Sequence, residues 1–371
     1  MYEKNRQSEL LINLDAMEHN YKEIQKLHPD KKILPVLKAS GYGIGARNVK
    51  AFIDKLGIDI IGTAFVDEGI TQREYLEYEG EIVVLNQPAK EEVPNIIKYH
   101  ITPGVCYIEF LQELNYEAVR ANEIINVHIE IETGMGRTGI QIENLNDFIE
   151  KSKKLENIKI TGIYTHFATS DTDLEYTRKQ METFDKAVEY VKGKISTIKY
   201  VHCANSAAIM QLGDFPGNMI RPGIMLYGYF PDEHIETTVK LEPACVLKSK
   251  ISFMKTVEEG TSISYGRKFI TKRKSKIANV PIGYADGIRR SLSGKGKVVI
   301  NGNLAPIVGT ICMDSFMIDV TDIENVKIDD DVYIWDNKNI KIEDIAKKCG
   351  TINYEILSTI SNRIIRKIMS E

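Results

Sequence analysis

Residues 33–45 read ILPVLKASGYGIG, an apolar run that ends in a lysine followed by a glycine-rich turn. Such a run predicts a buried strand, and the glycines predict the turn after it. Lys38 stands at the junction, where burial favours the neutral amine that attacks a carbonyl carbon. The stretch therefore predicts a Schiff-base lysine. The alternative is an ordinary lysine that extends from a strand end into water.

Working outward from this stretch, eight short β-rich runs alternate with helical stretches. The strands are predicted at Ile33–Lys38, Ile58–Ala64, Ile82–Leu85, Ile101–Val105, Ile124–Glu132, Ile158–Thr165, Ile198–Cys203 and Met219–Leu226. Helical spacing of apolar residues is evident at Asp15–Gln25, Glu91–Tyr99 and Asp173–Val191. Eight such repeats in roughly 200 residues predict an α/β fold, a (β/α)8 barrel of the TIM type. Active residues of such a barrel follow its strands, as Lys38 does.

The second part of the chain is β-rich. Strands are predicted at Ala244–Met254, Lys276–Pro281, Lys297–Ile300, Ala305–Ile311, Ser315–Val320 and Asp331–Trp335. Asn301-Gly302 between two of them predicts a tight hairpin, because both turn positions require positive φ. We therefore predict two domains, a barrel over residues 1–235 and a C-terminal β-rich domain over residues 236–371.

Composition favours small-molecule chemistry. The 371 residues include 48 basic and 52 acidic ones, so neither nucleic acid nor an anionic membrane is indicated as a partner. The five cysteines are scattered, which argues against a disulfide framework and against a metal site. No signal peptide or membrane segment is predicted. We expect a cytoplasmic protein, or a soluble domain released from a longer membrane-anchored one.

A segment after strand seven and another within strand eight predict a phosphate site, which barrels of this kind commonly have in the loops after these strands. Ala204-Asn205-Ser206 offers a hydroxyl, and Arg221-Pro222-Gly223-Ile224 offers a glycine that permits close backbone approach. Each segment alone is more often a helix cap or a turn. Their coincidence with Lys38 favours phosphate.

Strand five alternates polar residues with isoleucines before a glycine-rich loop. This period of two places His128, Glu130 and Glu132 on one face, which we expect to point into the barrel. Buried charge needs a partner, so Arg137 is predicted to pair with Glu130 and to bind an anion. A charged strand end facing water is the alternative. His166 follows strand six and belongs to the same end of the barrel.

Nine segments, in order, resemble the alanine racemase family, which belongs to the fold-type III pyridoxal-phosphate enzymes. They are VLKA (36–39) with Tyr42-Gly43, TGMGR (133–137), HFAT (166–169), ANS (204–206), RPGI (221–224), SYGR (264–267), GYADG (283–287), CMD (312–314) and TINYE (351–355). The resemblance spans nearly the whole chain. It implies a homodimeric isomerase that interconverts L- and D-alanine with pyridoxal 5′-phosphate.

The resemblance also implies roles for single residues. Lys38 would carry the cofactor as a Schiff base and share proton transfer with Tyr265, which in the family belongs to the partner subunit's β-rich domain. The phosphate would be held by Tyr42, Ser206, Gly223, Ile224 and Tyr354. Arg221, supported by His166, would face the pyridine nitrogen and keep it unprotonated. The substrate would meet Arg137 and Met313, and Tyr284 and Thr310 would line the access corridor.

Three positions depart from the family's pattern. Glu130 stands where many members carry a carbamylated lysine, and we expect its carboxylate to orient Arg137 in place of the carbamate. Thr310 stands where an arginine is common, and Ile44 where a histidine is usual. Both changes predict a wider access corridor, which leaves serine or longer, basic amino acids open as substrates.

Two functions of other classes remain alternatives. A non-catalytic pyridoxal-phosphate carrier would need only Lys38 and the phosphate segments, but such carriers lack a β-rich half with Tyr265. A Schiff-base aldolase would need no phosphate site. Biosynthesis of D-amino acids for peptidoglycan, resistance and catabolism all fit the resemblance.

Overall fold

The computed structural model describes residues 6–369, which contain a nearly closed barrel of eight parallel strands. Strand β1 at Glu9–Ile12 precedes the barrel. The barrel strands β2 to β9 are Lys32–Ile33, Ile60–Thr63, Glu81–Val84, Thr102–Val105, Ile125–Glu130, Ile158–Tyr164, Tyr200–His202 and Met219–Ile220. Their order around the sheet is β2-β9-β8-β7-β6-β5-β4-β3. The predicted (β/α)8 barrel is confirmed.

The barrel closes through the residues that follow β2. Val36 forms a parallel bridge with Gly62 of β3. The Leu37 N–H donates to the Gly62 carbonyl at 2.8 Å, and the Gly62 N–H donates to the Pro35 carbonyl at 2.9 Å. Lys38 therefore comes directly after the residues that join the β2 segment to β3 and so close the barrel. This confirms its position at a strand end.

One helix precedes the first barrel strand, and others connect the barrel strands, as parallel pairing requires. They span Leu14–Leu27, Ala46–Leu56, Val66–Ile70, Val93–Lys98, Ile108–Ala121, Leu145–Ser152, Leu174–Lys192 and Ser206–Gln211. Tighter or wider helical turns lie at Thr71–Tyr75, Lys90–Glu92, Ile142–Asn144 and Ile224–Tyr227. The three helices predicted from apolar spacing are all present. Among residues 6–369, no helix combines the length and apolar composition needed to cross a lipid bilayer.

The C-terminal half forms a mixed sheet, which confirms the predicted β-rich region. Strands β10 to β19 are Cys245–Lys250, Phe253–Val257, Ser262–Ile263, Phe269–Ile270, Ser275–Val280, Lys297–Ile300, Asn303–Val308, Phe316–Asp319, Asp331–Trp335 and Ile365–Ile368. Nine strands join in the order β11-β14-β17-β16-β15-β18-β10-β1-β19, while β12 pairs with β13. Helical segments lie at Tyr265–Arg267, Tyr284–Asp286, Arg290–Leu292, Ile342–Cys349 and Asn353–Ser358.

The predicted hairpin between β15 and β16 is present. The two strands pair antiparallel, with Ile300 opposite Asn303. Between them Asn301 has φ 47° and Gly302 has φ 75°. Both values lie in the left-handed region that a two-residue hairpin of this type requires.

Contacts divide the chain into two compact units. The first comprises residues 15–41 and 49–242, and the second comprises the described residues before Asp15, residues 42–48 and the chain from Pro243 onward. The described residues before Asp15 and residues 42–48 thus belong to the second unit, whereas the sequence-based division assigned both stretches to the barrel domain. One of them contains β1, which pairs with β10 and β19. Local sequence patterns do not report such long-range pairing.

Candidate active site

The four residues after Lys38 have an uncommon backbone, with φ between 52° and 64°. Left-handed φ costs about 1–2 kcal/mol for each residue other than glycine, so surrounding contacts must hold this turn. Glu68 supplies one such contact. Its Oε1 accepts the Ala39 N–H at 2.6 Å, while its Oε2 accepts the Ala64 N–H at 2.7 Å.

Glu68 was not among the predicted site residues. It lies in the first turn of the helix Val66–Ile70, where its carboxylate ties the end of β3 to the turn after Lys38. The only sequence signal was an acidic residue in the first turn of a helix. That feature is common at helix starts and does not by itself indicate a site.

Lys38 is exposed by surface area, yet its amine has a lowered pKa. Desolvation by the surrounding protein is the largest cause, and repulsion by the Arg137 and Arg221 guanidinium groups adds to it, while Glu68 opposes the change. A lowered pKa increases the fraction of neutral amine near pH 7. The amine is thus both accessible and closer to its nucleophilic form than an ordinary surface lysine.

Arg221 follows β9 and is buried, with 3% of its surface exposed. One of its Nη atoms lies 2.9 Å from His202 Nδ1. The other donates to the carbonyls of Thr165 at 2.8 Å and Cys203 at 3.1 Å, and lies 3.3 Å from His166 Nδ1. Every one of these acceptors is neutral, and none is a carboxylate.

These contacts determine the histidine tautomers. A guanidinium only donates, so His202 and His166 accept through Nδ1 and carry their protons on Nε2. His202 Nε2 lies 3.0 Å from His128 Nδ1, so the His128 proton is also on Nε2. Burial is the main cause that lowers the pKa of all three rings, with Arg221 adding to it, and the pKa of His128 falls to about 3.

The histidine chain explains why a glycine stands at position 162 in the barrel interior. His128 is fully buried, and a Cβ on Gly162 of β7 would lie 2.3 Å from its ring, so glycine is required beside it. Hydrogen bonds join Arg221 to His202 and His202 to His128. Within residues 6–369, no group of three or more His, Cys, Asp or Glu side chains could hold a metal ion.

Arg221 also retains donors. Of the five N–H groups of a guanidinium, its Nε–H and one Nη1–H have no hydrogen-bond partner in the described part of the chain. An arginine so placed can donate to a further neutral acceptor. It does not transfer a proton to that acceptor near neutral pH.

The residues predicted to bind phosphate lie in two groups, one in each unit. In the first unit, the Gly223 N–H donates to Ser206 Oγ at 2.9 Å, and Ile224 begins the next helical turn. The Ser206 hydroxyl keeps its own proton for an additional acceptor. In the second unit, the Tyr42 and Tyr354 rings approach to 6.1 Å between centroids.

The predicted ion pair between Arg137 and Glu130 is not formed, which corrects the sequence-based expectation. Glu130 is buried as predicted, at 2% exposed, and burial raises its pKa. Its Oε2 has no hydrogen-bond partner, whereas Arg137 is exposed. Glu132, not Arg137, closes the loop, because its carboxylate accepts the N–H groups of Gly134 and Gly136.

The two positions that suggested a wider corridor are buried. Ile44 is 0% and Thr310 is 4% exposed. Thr310 Oγ1 donates to the Tyr265 carbonyl at 2.9 Å, and its own carbonyl accepts from Ser264 Oγ at 2.6 Å. Thr310 therefore holds the backbone of the turn that presents Tyr265, whose side chain is 72% exposed.

Two further predicted residues lie on adjacent loops of the second unit. The Tyr284 N–H donates to the Cys312 carbonyl and the Ala285 N–H donates to the Met313 carbonyl, both at 3.0 Å. Tyr284 and Met313 both have exposed side chains. The backbone pairing thus brings these two residues onto one surface.

The comparison with known families covers both units. The profile described as "Alanine racemase, N-terminal domain" matches residues 12–231, and the one described as "Alanine racemase, C-terminal domain" matches residues 244–368. The chain belongs to the alanine racemase family. The resemblance of its nine motifs is thereby confirmed.

Individual relatives agree with this assignment. "Alanine racemase 2" of Caldanaerobacter subterraneus subsp. tengcongensis is 39% identical over 99% of this chain and 96% of its own length. The solved alanine racemase of Clostridium difficile 630 has a TM-score of 0.93 at 37% identity, covering 99% of this chain and 98% of that one. The alanine racemase of Bartonella henselae, solved with covalently bound pyridoxal phosphate, has a TM-score of 0.87 at 27% identity, covering 98% and 99%.

The buried histidines predict a loss of stability in acid. His128 stays neutral in the folded chain down to about pH 3, whereas the unfolded chain takes up this proton below about 6.5. In that window the unfolded state binds more protons, so stability falls as the pH falls. When the pH falls from 7.5 to 5.5, the unfolding free energy of the wild type should decrease by about 1.4 kcal/mol more than that of the His128→Gln variant.

Urea unfolding at the two pH values measures this difference. His234→Gln is the control, because His234 is exposed. An identical pH dependence of the wild type and the His128 variant would show that this ring is protonated in the folded chain.

Proposed function

We propose that this chain is a pyridoxal-phosphate-dependent alanine racemase that interconverts L- and D-alanine. The observation that carries the proposal is a family match over both units, combined with a lysine of lowered pKa where the barrel closes. Two named alanine racemases at 39% identity support the substrate. Within this function, the enzyme is an isomerase that acts on a small amino acid.

The residues fit pyridoxal phosphate by the chemistry of their donors. Lys38 offers an amine of lowered pKa to the aldehyde. Ser206 and the backbone around Gly223 offer a hydroxyl and N–H groups to the phosphate, with the hydroxyls of Tyr42 and Tyr354 proposed as further donors. When bound, the cofactor withdraws electrons from the substrate carbon and so weakens its C–H bond.

Proton transfer is assigned to two residues. Racemisation needs an acid and a base on opposite faces of the reacting carbon. We assign Lys38 Nζ to one face and Tyr265 Oη to the other. Because Tyr265 is 72% exposed, its hydroxyl is available to a site outside its own turn.

Arg221 is assigned to the pyridine nitrogen. Its remaining N–H donors suit a neutral ring nitrogen, and it gives up no proton near neutral pH. His202 and His166 hold the guanidinium from behind through their Nδ1 atoms. An unprotonated pyridine withdraws fewer electrons, which we expect to limit side reactions.

Arg137 and Met313 are assigned to substrate binding, and Glu130 is assigned the role of a carbamate substitute. Arg137 is exposed on a glycine-rich loop and suits a carboxylate. Met313 lies beside Tyr284 on an exposed surface. Glu130 is buried without an ion-pair partner in the described part of the chain, and burial raises its pKa while the charges of Arg137 and Arg221 oppose that rise. We propose that its carboxylate replaces a carbamate through this charge interaction with Arg137, without a direct ion pair.

We further propose a cytoplasmic homodimer with composite sites. In it, the barrel domain of residues 1–235 supplies Lys38, and the domain of residues 236–371 of the other subunit supplies Tyr265 and Met313. The exposure of Tyr265 and Met313 supports this exchange, since neither side chain is packed within its own unit. The access corridor would include Tyr284, with Thr310 supporting the turn of Tyr265.

The preferred substrate is expected to be alanine. The purified protein should show the visible absorption of a lysine-bound pyridoxal cofactor and should racemise L-alanine faster than L-serine, L-lysine or L-arginine. Burial of Ile44 and Thr310 gives no support to a wider pocket. A colourless protein, or faster turnover of a basic amino acid, would contradict the proposal.

Subunit mixing tests the composite site. Lys38→Ala and Tyr265→Ala dimers should each be inactive. Unfolding and refolding them together should restore about a quarter of wild-type activity, since half of the dimers are mixed and each mixed dimer has one intact site. Refolding each variant alone is the control. No recovery from a mixture that forms dimers would place both residues in the same subunit.

Glu130→Gln tests the proposed carbamate substitute. Removing the negative charge is expected to raise KM for alanine about tenfold or more, because Arg137 loses the nearby charge that we propose influences its position. Glu132→Gln is not a suitable control, since Glu132 closes the same loop, so Glu143→Gln on the protein surface serves instead. Unchanged KM and cofactor spectrum would refute the role of Glu130.

A further inference from the structure

The residues after Tyr42 are shaped to fit the C-terminal segment. Gly43 has φ 91°, and a Cβ there would lie 2.4 Å from the Leu357 carbonyl oxygen. Gly45 has φ 93°, and a Cβ there would lie 2.9 Å from Arg366 Cδ. A side chain at either position would require something to shift. Residues 43–45 therefore pass close to two features of the same unit, the helix Asn353–Ser358 and the Arg366 side chain.

Arg366 holds this stretch through a fork of carbonyl contacts. Its Nε donates to the Gly43 carbonyl at 2.7 Å. Its two Nη atoms donate to the carbonyls of Ile360 at 2.7 Å, Ser361 at 3.0 Å and Ile364 at 2.9 Å. One guanidinium thus joins the backbone after Tyr42 to three residues of the segment that leads into β19.

The charge of Arg366 is not used in an ion pair. Burial lowers its pKa, and no carboxylate pairs with it within residues 6–369. Desolvating a cation without an anion is unfavourable. The benefit must therefore come from the planar geometry of the fork, which lysine cannot reproduce.

The contacts of Arg366 bear on the two tyrosines assigned to phosphate. Tyr42 precedes Gly43 directly, is 7% exposed and has a left-handed φ of 52°. Tyr354 lies on the helix whose Leu357 carbonyl abuts Gly43. Fixing the Gly43 peptide thus fixes where the Tyr42 ring stands relative to the Tyr354 ring, 6.1 Å away.

We propose that Arg366 is a positioning residue for the phosphate-binding pair Tyr42 and Tyr354, an inference that rests on the proposed function. The guanidinium does not touch the phosphate. It acts by holding the Gly43 carbonyl, and through it the Tyr42 hydroxyl, in place for the cofactor's phosphate. Arg366 therefore contributes to affinity for the phosphate and not to recognition of the pyridine ring.

The test compares two ligands that differ only in the phosphate. Full-length protein is stripped of cofactor, and its dissociation constants for pyridoxal 5′-phosphate and for pyridoxal are measured by absorbance titration. Arg366→Lys is expected to weaken binding of pyridoxal phosphate about tenfold or more while changing pyridoxal affinity less than about twofold. Combining it with Tyr42→Phe should add little, because both changes remove the same phosphate contact.

The controls separate a positioning role from general damage. Arg273→Lys makes the same substitution at an exposed arginine paired with Asp322, and both affinities should stay at wild-type values. Equal weakening of both ligands by Arg366→Lys would overturn the inference, as would full additivity with Tyr42→Phe. If Arg366→Lys does not fold, Gly45→Ala displaces the same side chain and must produce the same selective loss. Wild-type protein that binds neither ligand would instead refute the proposed function.

Discussion

A guanidinium buried without a carboxylate sets the chemistry at the carboxyl ends of the barrel strands. Arg221 is held by two carbonyls and two histidine Nδ1 atoms, all of them neutral. Its charge is therefore not cancelled locally, and it acts on the titratable groups around it. Burial is the main cause that lowers the pKa of His128, His166, His202 and Lys38, and the charge of Arg221 adds to it in each case.

The neutral partners of Arg221 also determine which groups donate and which accept hydrogen bonds in the barrel interior. Because the guanidinium only donates, the tautomers of His202 and His128 follow one from the other, and glycine is needed at position 162 to leave room for the second ring. A carboxylate among the hydrogen-bond partners of Arg221 would offset its positive charge and raise the Lys38 pKa. Within the described residues none of the hydrogen-bond partners of Arg221 is a carboxylate, which fits the proposed role of this arginine at an uncharged ring nitrogen.

The stretch that begins at Lys38 is restrained from both sides. Glu68 of the barrel unit holds the Ala39 amide, and Arg366 of the other unit holds the Gly43 carbonyl. Between them lie four residues of left-handed backbone, a conformation that free peptides rarely adopt. Strain of this kind persists only where the fold determines it from outside. Here the left-handed turn determines where the side chains of Lys38 and Tyr42 extend from the backbone.

The sequence alone determined the eight barrel strands, the β-rich second half, the hairpin at Asn301-Gly302 and the position of Lys38, because periodicity and turn chemistry are local properties. It did not reveal that β1 joins the C-terminal sheet, that Glu68 and Arg366 hold the turn, or that Glu132 and not Arg137 closes the loop after strand five. Only the tertiary structure decided these, since each joins residues far apart in the chain or depends on which of several nearby charged side chains reaches the backbone. Hydrogen-bond partners depend on which groups folding brings within about 3 Å, and no local pattern carries that information.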